Sequence, residues 1–112
     1  MKKFLILYQS SVPASEQIAK ASPEQMKAGM DLWKKWASKA GKAIVDLGAP
    51  VGNAQQMTGA SPRTSDCKVT GFSILQAESA KAIQDLLKDH PHFNAPGSSI
   101  EVLEFLAMPG MS

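Results

Sequence analysis

Near its N-terminus the chain gathers the apolar run Phe4-Leu5-Ile6-Leu7-Tyr8, preceded by Lys2-Lys3 and cut off by Gln9-Ser10-Ser11. A continuous apolar run this short, with polar boundaries, predicts a strand over 3–9 that is covered on both faces. The next boundary is Ser22-Pro23-Glu24-Gln25. Ser22 can accept from the backbone N–H of Gln25 while the Gln25 side chain returns to Ser22. Pro23 takes the first helical position, where its missing N–H costs nothing. Met26, Met30, Trp33, Ala37, Ala40 and Ile44 then recur at alternating spacings of four and three, the stripe of an amphipathic helix. Gly48 offers a left-handed terminating residue and Pro50 blocks continuation, so the pattern predicts a helix over 23–47. Gly29 and Gly41 inside it each cost about 1 kcal/mol relative to Ala, which points to a close neighbouring backbone.

Beyond the helix, Pro50, Gly52 and Asn53 mark residues 49–58 as an edge strand or a bulge. Residues 59–66 read as a loop by composition. Alternation of Val69, Gly71, Ser73 and Leu75 with Thr70, Phe72 and Ile74 predicts a strand over 67–76. Ser79 caps a second helix with the apolar face Ile83, Leu86, Leu87 and His90, stopped by Pro91. A last strand is expected over 99–107, and residues 108–112 form a terminal tail. The order is β-α-β-β-α-β, an α+β, ferredoxin-like arrangement. Right-handed crossovers place both helices on one face of a four-stranded antiparallel sheet, with strand order 4-1-3-2. The other face then carries apolar residues that a second copy of the chain would cover, so a homodimer is expected.

Composition narrows the possible functions. The 112 residues suit a single domain over 1–112. A hydrophobic fraction of 44% with 20% charged residues is globular. The basic residues are scattered and the net charge is only +2, which argues against nucleic-acid binding. The apolar run after Lys2-Lys3 is five residues, shorter than the roughly 7–15 of a secretory signal. No stretch approaches the ~20 apolar residues of a membrane span. Cys67 is the single cysteine and cannot form an intramolecular disulfide. A cytoplasmic protein with no membrane partner is the expectation.

A resemblance covers nearly the whole chain. Phe4-Leu5-Ile6-Leu7-Tyr8, the Pro23–Met30 helix with Trp33 and Trp36, Ala43–Pro50, Gly71–Ala77, His90-Pro91-His92, and Ile100-Glu101-Val102 with Glu104-Phe105 together resemble a YCII-related protein. That resemblance implies a dimeric α+β barrel, in some members enzyme-like through a His and an Asp in a cleft. The founding branch carries its histidine in the first helix, whereas this chain has none before His90. An Asp-Gly-Pro-Phe signature known from another branch is also absent. Only the fold and the dimer are therefore carried over.

The topology brings the end of the first strand, the first helix start, the 59–66 loop, the end of the second helix and the start of the last strand to one edge. That edge collects Tyr8, Gln9, Ser10, Ser22, Arg63, Asp66, His90, His92 and Glu101. A helix N-terminus, a guanidinium and two imidazoles favour a small polar or anionic molecule. His92, His90 and Glu101 are the candidate catalytic residues, because imidazole moves protons near neutral pH and a carboxylate can orient it. His90, on the helix face, also fits a structural role as a cap for the last carbonyls. His92, past Pro91, is expected to be partly exposed and without a main-chain partner. Trp33 and Trp36, three apart, form one wall of a cleft or fill the core. Glu101 and Glu104 lie on opposite faces of their strand, so at most one faces the helices. Two histidines joined only by Glu101 or Cys67 make a poor metal site, and no phosphate loop, nucleophile elbow or nucleotide fingerprint is present.

The reading is a cofactor-independent, enzyme-like dimer with a small-molecule cleft between sheet and helices. One alternative is a non-catalytic dimeric binding module, which a cleft filled by Trp33, Trp36 and the methionines would favour. Another, by analogy of fold alone, is a cofactor-free monooxygenase-like barrel.

Overall fold

A computed structural model of the chain describes residues 1–110; Met111 and Ser112 of the tail lie outside the described residues. Its main sheet is built from β1 (Lys2–Gln9), β2 (Ile44–Pro50), β5 (Val69–Ala77) and β6 (Ser99–Glu104). The order across the sheet is β2-β5-β1-β6 and the pairing is antiparallel throughout. This is the 4-1-3-2 order expected from the sequence, read from the other edge. Its second strand, however, is Ile44–Pro50 rather than residues 49–58, and part of the expected 59–66 loop is a strand of a separate hairpin. Helices α2 (Pro23–Ala40) and α3 (Ala80–Leu87) supply the two crossovers. The α+β, ferredoxin-like frame is therefore β1-α2-β2-β5-α3-β6. Two elements are added to it: a short helix α1 (Ala14–Lys20) and an exposed hairpin of β3 (Gln55–Thr58) and β4 (Ser61–Thr64).

Helix α2 starts as its sequence dictates. Ser22 Oγ accepts from the Gln25 N–H at 3.1 Å, and Gln25 Oε1 accepts from the Ser22 N–H at 2.9 Å. It ends earlier than the apolar stripe predicts, because Gly41 takes φ 54° at its C-terminus and a 3-10 turn over Gly41–Ala43 follows. Gly41 is thus a terminator rather than a contact glycine. The β-branched Ile44 and Val45 pass into β2, where Ile44 pairs with Leu75. Gly48 does adopt positive φ, at 82°, but within an irregular stretch of β2 instead of at a helix end. A Cβ there would lie 1.7 Å from the Phe72 carbonyl oxygen. Glycine lets β2 and β5 approach.

Alternation along β1 sends Phe4, Ile6 and Tyr8 to the helical face, all at most 2% exposed. There they meet Leu75 of β5, Trp36 and Ala40 of α2, and Ile83 and Leu87 of α3. Both crossover helices therefore cover one face. The opposite face carries Leu5, Leu7, Phe72 and Ile74, all half-buried, with Leu103 44% exposed. Register pairs Leu5 with Ile74 and Leu103, and Leu7 with Phe72. No helix among the described residues is long and apolar enough to cross a membrane.

Candidate functional site

Between the sheet and the helices lies a closed aromatic cluster rather than a cleft. Tyr8 stacks on His90 with ring centroids 4.9 Å apart, and Trp33 meets Tyr8 edge-on at 5.1 Å. Trp33 and Trp36 approach His90 at 4.5 and 4.4 Å in T-shaped contacts. Trp36 Nε1 donates to the Leu86 carbonyl at 3.0 Å, which ties α2 to α3. The Tyr8 hydroxyl donates to Ser73 Oγ at 2.8 Å, and Ser73 Oγ donates to the Leu47 carbonyl at 2.6 Å. That relay joins β1, β5 and β2. Burial pushes the Tyr8 phenol up to about 12, so it remains a neutral donor.

Both histidines are buried, so His90 keeps a structural place and His92 does not take the exposed one anticipated for it. His92 is buried, 7% exposed, and its Nε2 lies 2.7 Å from the Gln9 carbonyl and 3.2 Å from that of Ser99. Both partners are acceptors, so Nε2 carries the proton and donates. The expected exposed, unpartnered His92 is corrected: the turn Pro91–Asn94 folds back and carries the ring over the ends of β1 and β6. His90 does not cap α3. Its Nδ1 accepts the His92 backbone N–H at 2.9 Å, which caps the following turn instead. His90 Nε2 is buried with no hydrogen-bond partner among the described residues. Desolvation, and then the charge of His92, lowers His90 from 6.5 to about 4.

Glu101 is not beside either imidazole. It pairs directly with Leu7, which alternates with the core-facing Ile6 and Tyr8, so its side chain belongs to the open face of the sheet. Gln9 shares that face, and its Oε1 accepts from Ser99 Oγ at 3.2 Å. Ser22 is exposed and occupied in capping α2. Arg63 lies exposed on the β3–β4 hairpin. Of the edge anticipated from the sequence, Ser10 and Asp66 do come together, in a recess of about 310 Å³.

That recess is bounded by the residues after β1, the start of α1, residues 51–54 and the chain from Thr64 to Thr70, and its lining includes Ser10, Ser11, Ala14, Asp66, Cys67 and Lys68. Ser10 Oγ donates to the Pro96 carbonyl at 2.6 Å and accepts the Val12 N–H at 3.1 Å. Gln17 Nε2 donates to the Val12 carbonyl at 2.7 Å, which seats α1. The Ser10 N–H reaches the Lys68 carbonyl at 3.0 Å. One wall is therefore held by part-buried bonds of Ser10 and Gln17, and the Asp66, Cys67 and Lys68 side chains are exposed. Sequence reasoning missed α1, Cys67 and Lys68 as parts of this edge. The Gln17 side-chain anchor that fixes α1 carries no sequence signature.

No family model matches the chain, and no curated protein does. A solved structure of 5-chloro-2-hydroxyhydroquinone dehydrochlorinase (TftG) from Burkholderia phenoliruptrix AC1100, in complex with 2,5-dihydroxybenzoquinone, is similar at 24% identity. The match covers 88% of this chain and 90% of that one, with a TM-score of 0.42. So loose a likeness assigns no residue, and the fold rests on the strand order and register described above.

Proposed function

We propose that the protein is a YCII-related, cofactor-independent homodimer that binds a small polar or anionic molecule in the recess at the end of β1. The observation that carries this reading is the recess itself, a concave site of ligand size at the mouth of the sheet. Exposed Asp66 and Lys68 offer a proton acceptor and a cation two residues apart, with Ser11 elsewhere in the same lining. His92 is a positioning residue, holding Gln9 and Ser99 so that Ser10 stays in place. The dimer would form through the half-exposed apolar sheet face.

Cys67 provides the test. A screen of small polar and anionic molecules by ligand-observed NMR should yield binders that slow alkylation of Cys67 and that no longer bind the alkylated protein. Binders indifferent to Cys67 alkylation, or none at all, would overturn the recess as the site. One observation favours a second reading, a non-catalytic dimeric module: Tyr8, Trp33, Trp36 and His90 fill the space between sheet and helices. That reading predicts the dimer without any recess ligand.

A further inference from the structure

We propose that the groove between α2 and the α3–Pro91 turn, distinct from the recess at the end of β1, is a binding site for a small aromatic carboxylate. The groove has a volume of about 550 Å³, within the range of small-molecule sites. Its apolar part is open to water: Leu32 and Phe93 are each 46% exposed and both line it. Trp36 and His90 also belong to the lining, their rings packed 4.4 Å apart. Trp36 and His90 are buried beneath the groove, so a flat ring seated in it would take Leu32 and Phe93 out of water and meet the Phe93 ring.

The rim specifies charge. Lys35, Lys39 and Lys88 line the groove against a single carboxylate, Asp89. Lys39 is paired with Asp89 at 3.1 Å, and Lys88 with Asp85, outside the lining, at 3.1 Å. Lys35 is exposed and has no carboxylate within pairing distance among the described residues. One uncompensated ammonium beside an apolar wall matches a ligand with one negative charge on a ring. A neutral ring would leave Lys35 unanswered, and an aliphatic anion would leave Phe93 in water.

The test is an NMR titration of the full chain with benzoate, benzamide and acetate. Benzoate should shift the amides of Leu32, Lys35 and Phe93 and the Trp36 indole N–H, with benzamide and acetate each at least tenfold weaker. Lys35→Glu and Phe93→Ala, both at exposed positions, should each weaken benzoate at least tenfold while the rest of the spectrum stays unchanged; if Lys35→Glu disturbs the fold, Lys35→Gln serves in its place. Equal binding of benzoate and benzamide would overturn the proposal. So would shifts confined to the recess at the end of β1, or groove amides that move with protein concentration alone, which would mark a protein contact.

Discussion

The backbone N–H of His92 donates to Nδ1 of His90 at 2.9 Å, so the neutral His90 ring carries its proton on Nε2. That N–H lies among Tyr8, Trp33 and Trp36 with no acceptor among the described residues. The site holds a neutral imidazole well and an imidazolium badly.

Stability should therefore depend on pH through His90. The unfolded chain takes up this proton near 6.5, whereas the folded chain does so only near 4. The contribution is complete above pH 6.5 and is lost as pH falls through the window to about 4, because there the unfolded state binds more protons. Thermal midpoints measured from pH 8 to pH 4 should fall through that window. In His90→Asn, which keeps an acceptor for the His92 N–H and cannot titrate, that part of the slope should disappear; an unchanged slope would assign it to other groups.

His92→Ala should lower unfolding free energy by about 2 kcal/mol, since two part-buried carbonyls lose their donor and the buried ring leaves a space. Urea denaturation measures this directly. A loss below about 0.5 kcal/mol, as at an ordinary surface position, would show that the bonds to Gln9 and Ser99 contribute nothing.

Gly48→Ala should be among the most damaging single substitutions in β2. Positive φ disfavours any Cβ, and this one would collide with the Phe72 carbonyl, so a loss on the order of 3 kcal/mol is expected. Hydrogen exchange should show the β2–β5 pairing opening first. Retention of wild-type protection there would contradict the close approach.

Ile74→Lys tests the dimer. Ile74 sits at the middle of the open face, paired with Leu5, and a lysine would put a charge in the centre of an apolar contact. Light scattering should give twice the 12.0 kDa chain mass for the native protein and the single mass for the variant. A native protein already at the single mass would remove the interface.

Much of the frame was legible in local chemistry. The capping box at Ser22, the apolar run of β1 and the alternation of β5 depend on neighbours a few residues away, and together they order the elements and leave one sheet topology. The end of α2 was not, because Ala40 and Ile44 continue the helical stripe while Gly41 interrupts it; strand pairing with β5 favours the break, and β5 lies some thirty residues on. For Glu101 and Glu104 the sequence by itself determined that they face opposite ways. Only cross-strand register decided which faces where, placing Glu101 opposite Leu7 and Glu104 opposite Phe4. The same holds for the histidines: Pro91 guarantees that His92 leaves the helix, but its burial depends on carbonyls of Gln9 and Ser99 that approach only when β1 and β6 have paired. Alternation and capping are local, whereas register and the partners of a buried polar group are set by segments far apart in the chain, which is why tertiary structure alone settled them.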